Sequence, residues 1–212
     1  EIRPRDWSSD VCSSDLIDRS RAQRFGRAVV GRIVSVDCAR NGGIAMGIRS
    51  TSVVVERDTV VEMRDGTRLR ADVYRPSGPG RYPVLLLRTP YNKSLPGGAL
   101  SDLDALRAVS RGYAVVIQDV RGRYQSDGQF RPFHQEIEDG YDTVEWCGAQ
   151  PWSDGRVGMK GTSYVGAVQW LAAIARPKSL KAIVPSFTAS DYYEGWTYQG
   201  GGLQWGLDRK ST

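Results

Sequence analysis

The stretch Gly158-Met159-Lys160-Gly161-Thr162-Ser163-Tyr164-Val165-Gly166, continued by Ala167-Val168-Gln169-Trp170-Leu171-Ala172-Ala173, decides how the rest of the chain is read. An apolar strand signal precedes it and an apolar helix signal follows it. Between them lies a glycine-punctuated turn with one serine at its apex. That is the order of a nucleophile elbow, in which the turn is so tight that the flanking residues must be small and the serine is strained, with its Oγ free. The backbone N–H groups that follow belong to the first turn of a helix, where they lack intrahelical partners and carry positive partial charge. By itself the signal leaves a second reading open, since glycine-flanked serines are common in ordinary turns. It also departs from the Gly-x-Ser-x-Gly pattern, because Val165 stands at the second glycine position and the glycine comes one later, at Gly166.

Working upstream, residues 156–159 are the short strand that ends in the turn. Residues 136–150, with Ile137, Tyr141, Val144 and Trp146, read as a helix. Two continuous apolar runs, at 83–88 and 113–119, read as central strands covered on both faces. Between them, 99–111 fits an amphipathic helix with Leu100, Leu103, Leu106 and Val109 on one side and Gly112 as its C-terminal cap. Before these, Asp65-Gly66 joins two alternating runs into a hairpin, preceded by the strand signal of Val53-Val54-Val55. Downstream of the turn, the helix ends near Arg176-Pro177 and 180–185 is one more strand. An antiparallel start followed by alternating strands and helices predicts an α/β fold with a mostly parallel central sheet. Parallel order puts the loops after strands 83–88, 113–119 and 156–160 on one edge, where sites form in such sheets.

Length and composition agree with one globular unit. The chain has 212 residues, 40% of them apolar, and no apolar run long enough to span a membrane. The net charge of +5 is concentrated at the N-terminus: residues 1–50 hold 9 basic and 6 acidic groups, and residues 51–212 hold 20 and 18. A nearly neutral domain argues against a nucleic-acid partner. Cys12, Cys38 and Cys147 are widely spaced with no CxxC or Cys/His cluster, so neither a metal nor a disulfide framework is expected. No cofactor motif is present either; Gly200-Gly201-Gly202 reads as a hinge, because no GK[ST] follows. Residues 1–50 are read as a non-native or disordered leader in which 5–16 resemble translated adapter sequence, and the fold is expected over 51–212.

Several further segments carry a family resemblance. Arg88-Thr89-Pro90-Tyr91-Asn92-Lys93, Gln118-Asp119-Val120-Arg121-Gly122, Asp139-Gly140-Tyr141-Asp142, Gln150-Pro151-Trp152 and the Gly161–Gly166 turn occur in the order of the cocaine esterase and X-Pro dipeptidyl-peptidase family. α-Amino-acid ester hydrolases and cephalosporin acylases are its relatives, and GxSYxG is the family's own form of the elbow. The resemblance implies an α/β-hydrolase fold with an antiparallel N-terminal hairpin, C-terminally truncated near the start of a cap domain. It also implies a serine hydrolase that cleaves a small ester, amide or peptide. In this reading Ser163 is the nucleophile, the Tyr164 backbone N–H is one oxyanion donor and the Tyr91 hydroxyl is the other. Asp191 and Trp196 lie where the family begins to line its acyl pocket and are candidate substrate-binding residues.

The family's chain order is serine, acid, histidine, yet no histidine follows Ser163 and the single one, His134, precedes it. The alternative function is therefore a non-catalytic or inactive fragment. Asp119 is read as a group that holds the 120–124 loop, Arg121 and Arg123 as anchors of carboxylates or loop carbonyls, and Trp146, Trp152 and Trp170 as core aromatics. Substrate, compartment and oligomeric state are left open by the sequence.

Overall fold

The computed structural model describes residues 16–25, 28–36, 48–95, 103–189, 191–194 and 197–203, with side chains from residue 51 onward. Strands β1 (Leu16–Phe25), β2 (Ala28–Val36), β3 (Ile48–Glu62), β4 (Arg68–Pro76), β5 (Tyr82–Thr89), β6 (Ala114–Asp119), β7 (Ser153–Thr162) and β8 (Leu180–Ser186) form one sheet in the order β1-β2-β3-β4-β6-β5-β7-β8. Helices α1 (Ala105–Ser110), α2 (Glu136–Ala149) and α3 (Tyr164–Ile174) connect β5 to β6, β6 to β7 and β7 to β8. Two short strands, β9 (Tyr198–Gln199) and β10 (Gly202–Leu203), pair with each other. The first five sheet neighbours, β1-β2-β3-β4-β6, are antiparallel in succession, and β6-β5-β7-β8 are parallel. The antiparallel start followed by parallel strands is the α/β arrangement expected from the alternation of elements, and it agrees with the α/β-hydrolase fold that the resemblance implies.

Local chemistry explains the main turns. Gly66 takes φ 81°, its N–H donates to the Met63 carbonyl, and Asp65 Oδ1 accepts the Thr67 N–H at 3.0 Å, which closes the β3–β4 hairpin. Asp104 caps α1 by accepting the Arg107 N–H at 3.0 Å, which starts this helix at Ala105, within the 99–111 stretch expected to be helical. Positions 99–102 lie outside the described residues. Gly112, at φ 85°, ends the helix as the sequence predicts.

The two central strands are covered on both faces. Leu86 and Val116 pack into one apolar cluster with Val144, Cys147 and Ala172 from α2 and α3. Their neighbours Leu87, Val115 and Ile117 pack into another with Ala105 and Val109 from α1. Alternate side chains of one continuous apolar run thus serve two cores, and each such residue contributes about 1.5–3 kcal/mol. Trp146 and Trp152 pack edge-on to each other against the first core, 6.5 Å apart. Trp170 does not join them; it lies on the exposed side of α3, whose buried side is taken by Val165, Val168, Gln169 and Ala172.

Within the N-terminal segment read as a leader, two stretches before β3 are described. Residues 16–25 and 28–36 form β1 and β2, and β2 pairs with β3 from Ala28↔Glu56 to Val36↔Ile48. The β-branched run Val29-Val30-Gly31-Arg32-Ile33-Val34 suits a strand, and its pairing satisfies the backbone of the 15-residue β3, which would otherwise be a long open edge. Of the adapter-like stretch, residues 5–15 lie outside the described residues, as do Cys12 and Cys38. No described helix is long and apolar enough to cross a membrane.

Candidate active site

Strand β7 runs straight into the elbow. Ser163 stands at φ 59°, ψ −123°, outside the regions that side chains ordinarily adopt, at the head of α3 and exposed. Its own N–H donates to the Ser186 carbonyl at 3.0 Å, and its carbonyl accepts from Gly166 and Ala167 as the helix begins. The strained serine is therefore held from both sides. Tyr164 and Val165 occupy the first two helical positions, where an N–H has no intrahelical acceptor.

The two glycines of the turn are each required by a neighbour. A Cβ on Gly161 would lie 2.1 Å from Val165 Cγ1, and one on Gly166 would lie 2.6 Å from Thr188 Cγ2. Positions two before and two after the serine face each other across the elbow. With Val165 on one side, the other must be glycine. This explains the unusual spacing seen in the sequence, because Gly166 is set by packing against the loop after β8. Gly161→Ala is expected to destabilise the protein by about 1–3 kcal/mol, and adding Val165→Gly to recover part of the loss. Denaturant unfolding measures both; a Gly161→Ala protein as stable as the parent would contradict the packing account.

A residue that sequence reasoning passed over completes the elbow. Gln169 is buried on α3, where its Nε2 donates to the carbonyls of Gly161 and Val165 and its Oε1 accepts the Val184 N–H at 2.9 Å. One amide thus ties the turn to its helix and to β8. The signal was a lone glutamine inside an otherwise apolar helix, at a position whose neighbours in the 3.6-residue period are buried.

Tyr91 follows β5 on the same sheet edge and is 48% exposed. Its loop is fixed from below. The Tyr91 N–H donates to Thr89 Oγ1 at 3.0 Å, Arg123 Nε donates to the Pro90 carbonyl at 3.0 Å, and Asp119 Oδ1 accepts the Lys93 N–H at 2.8 Å. Asp119 was expected to hold the loop that follows it; its stronger bond is to the loop after β5, with Gln125 N–H at 3.5 Å from Oδ2. Burial raises the Asp119 carboxyl above its ordinary range, against the opposing pull of Lys93. The Lys93 ammonium is buried 2.6 Å from Asp58 and 3.3 Å from Asp72. Burial disfavours its charge, but the hydrogen bond to Asp58 and the charges around it hold its pKa above the usual lysine value. Arg121 meets the expectation of a carboxylate anchor: it binds Asp139 and Asp65, joining α2 to the first hairpin.

Behind the elbow, the Tyr164 ring stacks on Phe133 with centroids 4.5 Å apart, and its hydroxyl lies 3.0 Å from Glu136 Oε1. Burial, followed by the nearby Glu136 charge, raises the phenol well above its ordinary value and keeps it a donor. Asp191 is exposed, and its Oδ1 accepts the N–H groups of Tyr193 and Glu194, so it organises its own turn. Trp196 lies outside the described residues. His134 sits on an exposed turn, next to Phe133. The structure thus gathers Ser163, Tyr164 and Tyr91 at one edge of the sheet.

Comparison with known proteins agrees with this architecture. A family model described as X-Pro dipeptidyl-peptidase (S15 family) matches residues 65–209. Cocaine esterase from Rhodococcus sp. (strain MB1 Bresler) is 45% identical over 151 residues, covering 70% of this chain and 26% of that protein. A crystal structure of a CocE/NonD family hydrolase from Staphylococcus aureus superposes with a TM-score of 0.66 at 29% identity, covering 81% of this chain and 33% of that one. An aminopeptidase from the marine sediment archaeon Thaumarchaeota archaeon gives a TM-score of 0.58 at 30% identity, covering 66% and 26%. The chain spans about a quarter of the length of the curated esterases it matches.

Proposed function

The chain belongs to the X-Pro dipeptidyl-peptidase (S15) family, and from that premise we propose that it carries the acyl-binding half of a serine hydrolase that cleaves an ester or amide through an acyl-enzyme. The observation that carries this reading is the backbone of Ser163, strained at φ 59°, ψ −123°, exposed, and braced by Ser186, Gln169 and two glycines that cannot carry a Cβ.

In the proposed reaction Ser163 Oγ attacks the substrate carbonyl carbon and its proton passes to a general base. The carbonyl oxygen takes up the negative charge and receives hydrogen bonds from the Tyr164 N–H and the Tyr91 hydroxyl. When the tetrahedral intermediate collapses, the bond to the alcohol or amine breaks, the base returns its proton to that leaving group, and the acyl-enzyme remains. A neutral phenol is suited to its part, since it points a hydrogen at a developing charge without adding a countercharge that would bind the ground state equally well. We assign the base and its acid partner to the length of the relatives that these 212 residues do not span; the sequence itself holds one histidine, on the exposed 132–134 turn. The esterase and aminopeptidase relatives support a small ester, amide or peptide as substrate.

Tyr91 gives the test. In the protein at its full length, Tyr91→Phe is expected to lower kcat for p-nitrophenyl acetate by about 100-fold to 1,000-fold, the usual consequence of removing one oxyanion donor. Turnover at the parent rate would remove Tyr91 from the mechanism.

A further inference from the structure

The two proposed oxyanion donors belong to different elements, Tyr91 to the end of β5 and Tyr164 to the head of α3, so something must fix their separation. A chain of polar groups, buried at Arg88 and partly exposed at Tyr164, connects those elements. The Tyr164 hydroxyl donates to Glu136 Oε1 at 3.0 Å and accepts the Phe133 N–H at 3.2 Å. The other oxygen of Glu136 takes Arg88 Nη1 at 2.6 Å. Arg88 lies on β5, three positions before Tyr91, and its Nε donates to Gln118 Oε1 on β6 at 2.8 Å. Arg88 is fully buried and the Glu136 side chain is 6% exposed.

We propose that Glu136, held by Arg88, positions the elbow by gripping the Tyr164 side chain, and so fixes the direction of the Tyr164 N–H relative to Tyr91. Glu136 and Arg88 are then positioning residues for oxyanion binding. This inference rests on the acyl-transfer reading above. The physical case has three parts. A first-turn residue of a helix has no intrahelical hydrogen bond through its own N–H to steady it. A phenol between a carboxylate and a backbone N–H is anchored by a charge-assisted bond, which is stronger than a neutral one and here is partly shielded from water. The Phe133 ring, stacked at 25° to Tyr164, removes the remaining freedom of the side chain. The competing account is that Glu136 serves only to neutralise a buried arginine, in which case the Tyr164 hydroxyl is incidental.

Tyr164→Phe separates the two accounts, because it keeps the ring, the backbone N–H and the Arg88–Glu136 pair and removes only the hydroxyl. Glu136→Gln keeps the shape and removes the charge. Both are measured in the full-length protein for kcat and KM on p-nitrophenyl acetate, with melting temperature and fluorophosphonate labelling of Ser163 alongside. The expected result is a loss of about tenfold or more in kcat for each variant, since small misplacements of catalytic groups are costly in rate. KM is expected to stay near the parent value and the double variant to be little worse than either single one. Parent-like kcat in Tyr164→Phe, or losses that simply multiply in the double variant, would overturn the positioning role while leaving Ser163 labelling in the parent intact. If the parent itself is not labelled at Ser163, the acyl-transfer reading fails, and this inference fails with it.

Discussion

Arg88→Ala is expected to lower the stability of the fold by about 3–5 kcal/mol, the usual consequence of removing one partner of a buried ion pair. The size follows from the surroundings. Arg88 and Glu136 are taken out of water together, and Arg88 also satisfies the Gln118 carbonyl oxygen. Deleting the guanidinium leaves a buried carboxylate with the Tyr164 hydroxyl as its remaining described hydrogen-bond partner. It also opens a void beside Gly140, whose added Cβ would lie 3.4 Å from Arg88 Nη1. For a chain of this size such a loss lowers the melting temperature by roughly 10 °C. Removing both charges as Arg88→Met with Glu136→Leu is expected to recover much of the stability, because a well-packed apolar pair often replaces a buried ion pair without loss. Denaturant titration of the two variants decides the matter. A single Arg88→Ala change within about 1 kcal/mol of the parent would mean that water reaches the pair and that its burial contributes little.

This pair shows where the sequence stopped being informative. The strands at 83–88 and 113–119 were legible because continuous apolar runs suit only positions covered on both faces, and the two separate cores confirm it. The hairpin was legible from Asp65-Gly66, and the elbow from its glycines and the switch of period around Ser163. Those signals are local. Arg88 and Glu136 are 48 positions apart, and nothing in either neighbourhood says that one will neutralise the other. Asp119 was read as a loop-holding residue, but its main partner is the Lys93 N–H, 26 positions away across the sheet edge. Trp170 shows the same limit from the apolar side: its hydrophobicity suggested the core, and the rotation of α3 put Gln169 inside instead. The pairing of β1 and β2 with β3 is not legible in the sequence, because their composition alone does not outweigh the irregular stretch that precedes them. The roles proposed for Tyr91 and Tyr164 come from the family resemblance, which local pattern could not supply.

The second large effect concerns the elbow itself. Ser163→Ala is expected to lower turnover of p-nitrophenyl acetate by about 10⁴-fold to 10⁶-fold in the full-length protein, with the proposed oxyanion donors leaving only a small residual rate. Stability should change little, because Ser163 is exposed and its backbone makes the hydrogen bonds to Ser186, Gly166 and Ala167, which alanine retains. The backbone strain at φ 59° remains as well, so the loss isolates Oγ from the turn that presents it. The most direct measurement is peptide-level mass spectrometry after reaction with a fluorophosphonate, a mimic of the acylation step that needs an activated serine. The account predicts one adduct, on Ser163, absent from Ser163→Ala. An adduct on another serine, or labelling that survives Ser163→Ala, would contradict it.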